Sequence, residues 1–567
     1  MRKINKTTDK ILLAVFPFLT PLLPPLGISC LKGFLAKKGY MVKTVDVMSD
    51  IKIREACYQY FDTLKNMIGE EKRGHFFNVG LDVLCNHFMA HINHTDKAKY
   101  RELVKLVVKE NFFVDIDTGE AEKLIEAVED FYCKLADYTI RLIDAEKPAV
   151  FGASVYRGTL AASLFALKLI KERYPDILTV MGGAIFSQEL FVGTPNYNLF
   201  MERTSYLDKI LIGEGELLFL KLLEGELSEE QKTFSLKDID YELLELDLLD
   251  LPDFDDFELS QYPVVSQYTS RGCIYQCSFC AETVYWRKYR RKNVQKIADE
   301  LVEMKNKYNK SIFVFTDCLI NPLVTDLSNE MVSRNLSLYW DVYIKVDKHV
   351  CDPEYTHLWR RGGFYRARLG IESGSQRVLD LIDKRITVDQ IRMSLKSLAE
   401  AGIKTTTFWF AGHPGETEED FQQTLDLLEE LQDYIYEAEC DPFRYFYTGQ
   451  TNSDEWSQTI GNRLLYPSEY TDMLLTQTWQ LNAVPEREVI YERACRFRNH
   501  CIKIGIPNPY SVTEIYQADE RWKALHKNSV PSLIDIQKCN TAPDENLKIS
   551  RILTARSSIT NMQDFAF

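Results

Sequence analysis

Cys273, Cys277 and Cys280 fall within the single stretch "SRGCIYQCSFCAE" (Ser270 to Glu282) at the spacing C-x3-C-x2-C. Thiolates are the ligand form of cysteine, and three so close together on one loop can share a metal centre. A structural zinc takes four ligands, usually as two separated pairs, and no companion pair or suitably spaced histidine lies nearby, so zinc is the weaker alternative. A bacterial ferredoxin run has another spacing and brings a fourth cysteine. Three thiolates without a fourth fit a cubane [4Fe-4S] cluster whose last iron stays open to a substrate or cofactor, as an open coordination position does in a catalytic metal site.

Such a loop needs a scaffold, and the sequence around it reads as strands alternating with helices. From Tyr262 onward, strands are expected at 264–268, 311–315, 338–344, 365–370 and 405–410, separated by helices such as 294–308, 376–382, 388–401 and 417–431. Repeated strand-helix units suggest a full or partial barrel with function at the strands' C-terminal ends, and the cysteines follow the first strand. Upstream, apolar runs at 11–16, 41–47, 149–155, 177–181 and 209–212 alternate with amphipathic helices at 27–38 and 160–173, as in a doubly wound parallel sheet. About a hundred residues of helical periodicity between the second and third strands read as an inserted subdomain. The expected division is a front domain over 1–225 with its insertion at about 50–146, an acidic linker over 226–261, a barrel over 262–464, and a mostly helical C-terminal region over 465–567.

"CIYQCSFC", with an aromatic before the last cysteine, resembles the signature of the radical S-adenosylmethionine (radical SAM) superfamily. The resemblance implies that Cys273, Cys277 and Cys280 hold a [4Fe-4S] cluster whose open iron chelates SAM, and that reductive cleavage yields a 5′-deoxyadenosyl radical. It also implies that Phe279 packs near the adenine. "RLGIESGSQRVLDLIDK" resembles the family's fourth-strand segment, which places Glu372 and Ser373 against the SAM ribose or amino group. "FWFAGHPGETEEDFQQTL" resembles the fifth-strand segment, with Gly412, Pro414 and Gly415 shaping a turn near the adenine. "YWRKYRRK" matches an Arg-rich stretch in which Arg290 or Arg291 would face the cluster or the SAM carboxylate, with a solvated basic face as the alternative. "FVFTDCLIN" matches the second-strand pattern, with Asp317 and Asn321 as pocket residues and Cys318 as either a pocket thiol or a small core residue.

An α/β domain followed by this barrel resembles the cobalamin-binding class of the superfamily, over roughly Ile11 to Tyr445. The expected fold is therefore a Rossmann-like, B12-binding-type doubly wound sheet with a helical insertion, then a (β/α)6-type partial TIM barrel. "GASV", "VMGGA" and "GEGE" follow strands at the sheet's carboxyl edge, where glycine lets backbone approach a ligand. The resemblance makes Ser154, Gly182, Gly183 and Gly213 the cobalamin contacts. The class's D-x-H-x-x-G is absent, so no histidine is identifiable as a lower cobalt ligand.

Two further groups are candidates for metal. His87 and His91 lie four apart in "HFMAHINH" without a clear third ligand, and Cys495 and Cys501 flank His500, where ordinary buried thiols are favoured over a second cluster. The formal charge of −15 argues against a nucleic-acid partner. The apolar run from Ile11 to Leu31 is broken by prolines and reads as a strand and loop rather than an anchor, so no membrane is expected. Thirteen scattered cysteines read as reduced thiols, which suggests a cytoplasmic protein. The expected activity is cobalamin-dependent methylation of an unactivated carbon in a peptide or natural-product substrate, with a flavodoxin- or ferredoxin-type electron donor. The alternatives are a non-methylating radical SAM reaction (epimerisation, cyclisation, cleavage or rearrangement) and a non-catalytic metal-binding or electron-transfer protein.

Overall fold

The run Ile11–Val15 is buried on both faces, which a strand achieves only at the centre of a sheet covered by helices on each side. It belongs to β1 (Lys10–Val15), which is flanked by β2 (Met41–Asp46) and β3 (Val150–Ser154) and continues through β4 (Leu178–Gly182), β5 (Lys209–Ile212) and β6 (Thr233–Ser235). All pairs are parallel and the order is β2-β1-β3-β4-β5-β6, so the sheet changes direction between β1 and β3. Such a switch point opens a crevice at the strands' carboxyl ends. The computed structural model describes residues 3–19, 23–187, 189–262, 264–286, 288–445, 460–508 and 512–526, so the expected C-terminal region lies outside the described residues from 527 on.

β6 arises within the acidic stretch 226–261. Only Phe234 of its three residues is fully buried, and one apolar position among carboxylates leaves no periodicity to read.

Between β2 and β3 stand four helices, Ile51–Met67, Phe76–Asn93, Lys97–Phe112 and Thr118–Glu146. Asp50, Asp96 and Asp117 cap three of them through their side chains, the last in a capping box with Glu120. Their buried faces share one apolar core with the front sheet.

A second sheet holds β7 (Val265–Gln267) and then, after the short antiparallel pair β8 (Ser270–Arg271) and β9 (Arg290–Arg291), the strands β10 (Ile312–Phe315), β11 (Tyr339–Ile344), β12 (Phe364–Glu372), β13 (Lys404–Ala411) and β14 (Glu437–Pro442). The order β14-β13-β12-β11-β10-β7 is parallel throughout and leaves β14 and β7 unpaired with each other, which makes a partial barrel of six strands. β14 extends the five strands read from sequence.

Past the barrel, a small hairpin of β15 (Asn462–Leu464) and β16 (Trp479–Leu481) precedes the helix Arg487–Ile504, which packs on β13 and β14. The backbone N–H of Ala438 in β14 donates to Pro507 O at 3.1 Å. The helix Val512–Leu525 is pinned by Asp519, which meets Lys404 Nζ at 2.5 Å and accepts from Tyr436 Oη at 2.8 Å in a buried site. No helix among the described residues is long and apolar enough to cross a membrane.

Candidate active site

Gly272 ends β8 at φ +90°, where an added Cβ would lie 3.0 Å from Lys288 O, so only glycine turns the chain here. The cysteine loop follows. Tyr275 N donates to Cys273 Sγ at 3.4 Å, Cys280 N to Cys277 O at 3.1 Å, and Ser278 N to Ile382 O at 3.0 Å, which ties the loop to the segment after β12. Cys277 is buried and its two companions half-buried. Burial raises the Cys273 thiol and, with Glu282 alongside, pushes Cys280 up to about 12. Such thiols become thiolates only when a metal takes the place of the proton.

Two lysines put positive charge beside this loop. Lys345, at the end of β11, is buried, its Nζ lies 3.6 Å from the centre of the Tyr275 ring, and that nitrogen has no hydrogen-bond acceptor. Lys384 Nζ pairs with Glu372 Oε1 at 2.6 Å and stands 5.6 Å from the Phe279 ring. A buried ammonium without an acceptor is costly, and an anionic cluster or a carboxylate is the partner it lacks. The donor set thus fits a [4Fe-4S] centre.

Behind the loop, Asp317 accepts from Thr269 N, Thr269 Oγ1 and Ser270 Oγ, and so braces the strand that leads to Cys273. Asn321 bonds Lys345 through its backbone N–H and C=O at 2.8 Å each. Cys318 donates to Glu282 at 3.2 Å. These residues hold the loop's neighbours in position. Glu372 takes a left-handed φ of +67° at a bulge in β12, and Ser373 is fully buried, with its hydroxyl engaged by Thr424 and by Ser375 N.

Arg290 and Arg291, the motif's candidates for facing the cluster, meet carboxylates elsewhere, Arg291 lying 3.7 Å from Asp326. Arg290 ion-pairs with Glu214 of the front domain, and Arg271 binds Glu214 at 2.5 Å and Glu216 at 2.6 Å. "GEGE" therefore clamps the cysteine loop's stem through its carboxylates. Gly213, with φ +111°, turns the chain from β5 into the helix Gly215–Glu224 that carries this clamp. Ser154 and Gly182 end β3 and β4, half-buried at the sheet's carboxyl edge. An added Cβ on Gly183 would lie 2.5 Å from Val155 N and O, so close packing of two loops explains that glycine by itself.

A cavity of about 850 Å³ opens where all these parts meet. The insertion contributes Asp82 and Asn86, the front domain Arg157 and Glu189, the barrel Gly412, Pro414, Gly415, Phe443 and Arg444, and the C-terminal region Trp479 and Arg487. Of the expected SAM contacts, Gly412, Pro414 and Gly415 line it, whereas the cysteines, Phe279, Glu372 and Ser373 stand outside its walls. Ring contacts lead from one to the other: Phe279 to Phe410 at 5.6 Å, then Phe410 to Phe443 at 5.5 Å.

Sequence reasoning did not connect His75, Asn78, Glu439 and Asp441. His75 Nδ1 lies 2.9 Å from Asp441 Oδ1, and Asn78 Nδ2 donates to both carboxylates, which clips the insertion onto β14 across 361 to 366 residues. His87 and His91, the candidates for metal, instead share hydroxyls: His87 bonds Tyr60 and Tyr100, and His91 bonds Tyr100. Cys495 and Cys501 belong to two different apolar cores.

The profile of the Radical SAM superfamily matches residues 268–428. An anaerobic magnesium-protoporphyrin IX monomethyl ester cyclase of Rubrivivax gelatinosus is 23% identical over 307 residues, which are 50% of this chain and 54% of that protein. A cytidylyl-2-hydroxyethylphosphonate methyltransferase of Streptomyces wedmorensis is 25% identical over 355 residues, 52% of this chain and 64% of that one. The chain spans about half the length of the first such relatives. Among solved structures, the radical S-adenosylmethionine methyltransferase TsrM from Kitasatospora setae, with tryptophan substrate and a SAM analog bound, superposes with a TM-score of 0.57 at 14% identity, covering 97% of this chain and 100% of TsrM. Its form with cobalamin and a [4Fe-4S] cluster gives 0.54 at the same identity, covering 98% and 100%. With three cysteines on the loop after the first strand of a six-stranded partial barrel, and the family profile laid over that barrel, residues 268–428 of this chain carry a radical SAM domain.

Proposed function

We propose that this protein methylates an unactivated carbon of a peptide or natural-product substrate, using a [4Fe-4S] cluster, SAM and cobalamin. One observation carries the reading: segments that follow strands of both parallel sheets, with Arg157 and Glu189 in the front domain and Gly412 and Phe443 in the barrel, line one cavity, and the two units are locked together by Arg271 and Arg290 on Glu214 and Glu216. A front domain over 1–225, a linker over 226–261, a barrel over 262–464 and a C-terminal region from 465 would divide the work. Cys273, Cys277 and Cys280 hold the cluster. Phe279, Glu372, Ser373, Gly412, Pro414 and Gly415 border SAM, and Ser154, Gly182, Gly183 and Gly213 border cobalamin. When bound, the cluster with SAM supplies a hydrogen-abstracting radical and cobalamin a methyl group.

The chain's own residues position and shield. Lys345 and Lys384 set fixed charge beside the thiolates, and the walls of the cavity exclude water from a reactive intermediate and hold the substrate for attack. A flavodoxin- or ferredoxin-type protein supplies the electron. The cyclase relatives favour a second reading, ring formation without methyl transfer.

Anaerobic reconstitution with iron, sulfide and hydroxocobalamin tests the choice. Methylation requires a corrinoid absorption band and S-adenosylhomocysteine alongside 5′-deoxyadenosine. Turnover that yields 5′-deoxyadenosine alone selects the second reading, and absence of SAM cleavage overturns both.

A further inference from the structure

Arg487 opens the helix Arg487–Ile504 on the wall of the 850 Å³ cavity. Its Nη2 donates to Glu110 O at 2.7 Å, its Nε is buried without an acceptor, and it has no ion-pair partner among the described residues. Among the wall's other charges, Arg463 is exposed to solvent. Asp82 is held by Arg157 at 2.5 Å and Arg444 at 3.1 Å, Glu189 by Arg157 at 3.2 Å, and Glu486 is exposed. Among the described residues the cavity wall thus carries four arginines against three carboxylates, in a chain whose formal charge is −15.

Burial weakens the hold of Arg487 on its proton, as expected of a guanidinium that lacks its counter-charge. The start of the helix adds to the same field, because Glu486 makes no side-chain cap and Glu486, Arg487 and Ile490 of this first turn line the cavity. A guanidinium's planar fork matches carboxylate and phosphate oxygens in pairs. Trp479, Phe443 and Ile490 on the same wall provide apolar surface for the rest of a ligand.

We propose that Arg487 anchors the substrate through an oxyanion, a carboxylate or phosphate, with the apolar part of the molecule lying against Trp479 and Phe443. This deepens the reading above, since it takes the cavity to be the substrate chamber.

The test measures binding, without turnover, on full-length protein carrying a reconstituted cluster. Phenylacetate, phenyl phosphate and, as neutral control, benzyl alcohol are titrated while tryptophan fluorescence is followed, with Trp479→Phe to identify the reporting residue. At least one anion should bind more tightly than benzyl alcohol. Arg487→Gln should weaken it by about tenfold or more, and Arg487→Lys by less, because a lysine keeps the charge and loses the fork. The tighter anion identifies the carboxylate or phosphate. Equal binding of anions and benzyl alcohol to the wild type, or unchanged anion binding in Arg487→Gln, overturns the proposal. SAM cleavage is scored separately: its survival in a protein that fails this test removes the anchor and leaves the radical SAM reading standing.

Discussion

Arg271, two positions ahead of Cys273, donates to Glu216 at 2.6 Å across the boundary between the barrel and the front sheet. Both side chains are nearly buried, and Arg271 brings Glu216 below the usual carboxylate range although burial alone would raise it. Removing one partner of a buried pair leaves the other charged and unsatisfied, at a cost of about 3–5 kcal/mol. Arg271→Ala should lower urea-unfolding stability by about that amount and reduce the iron retained after reconstitution. A variant with wild-type stability and iron content would show that the clamp does not support the loop.

The cysteines give the sharpest expectation. Cys273→Ala, Cys277→Ala and Cys280→Ala should each lose the iron–sulfur absorption and all 5′-deoxyadenosine formation, measured by chromatography. Sustained SAM cleavage in any of them would end the assignment of that ligand.

Lys345→Met should act in opposite directions on the empty and loaded protein. Without the cluster it removes a buried ammonium that has no acceptor, so the apoprotein gains about 1–2 kcal/mol. With the cluster, loss of nearby positive charge disfavours the reduced state, so the midpoint potential followed by electron paramagnetic resonance should become more negative. A potential equal to wild type would mean that Lys345 faces another group.

His91 and His413 are both lowered from 6.5 to about 4 by burial. A base held below its unfolded value contributes stability that is complete above pH 6.5 and declines as pH falls toward 4, because the unfolded chain takes up protons the fold refuses. Every tenfold loss of proton affinity is worth about 1.4 kcal/mol, less at half-buried His91 where solvent screens it. Glu416, pushed up to about 7 by burial, works in the opposite sense. Comparison with variants therefore isolates the histidines: His413→Asn should lose stability less steeply than wild type between pH 6.5 and 4 in urea titrations, and identical slopes would refute the assignment.

Gly412 and Gly415 form a matched pair. Both have φ near +90°, but a Cβ at Gly412 would sit 2.3 Å from Ile490 whereas nothing lies within 4 Å of one at Gly415. Gly415→Ala should cost about 1 kcal/mol for backbone strain, and Gly412→Ala clearly more, since the turn and the helix Arg487–Ile504 must part. Equal melting temperatures would mean that the helix yields freely.

The cysteine loop and the central strands were legible because their signals are local: a fixed spacing, and apolar runs buried on both faces. β14 escaped because Glu437, Glu439 and Asp441 alternate with Tyr436, Ala438 and Cys440, and a strand whose alternate face carries carboxylates looks like a solvated surface. The destination of Arg290 was hidden as well. A basic residue near thiolates suggests an anionic cofactor, and nothing local reveals a glutamate 76 positions upstream. The contact of His75 with Asp441 is equally non-local, as is the isolation of Arg487, which depends on what three separate units fail to bring near it.

Because β14 and β7 never meet, the barrel has a seam, and an uncovered seam is a template on which a neighbouring molecule can lay its own strand. The bond from Ala438 to Pro507 and the helix Arg487–Ile504 occupy that border. Residues beyond the barrel therefore help keep separate molecules from fusing edge to edge, in addition to any part they play in shaping the chamber.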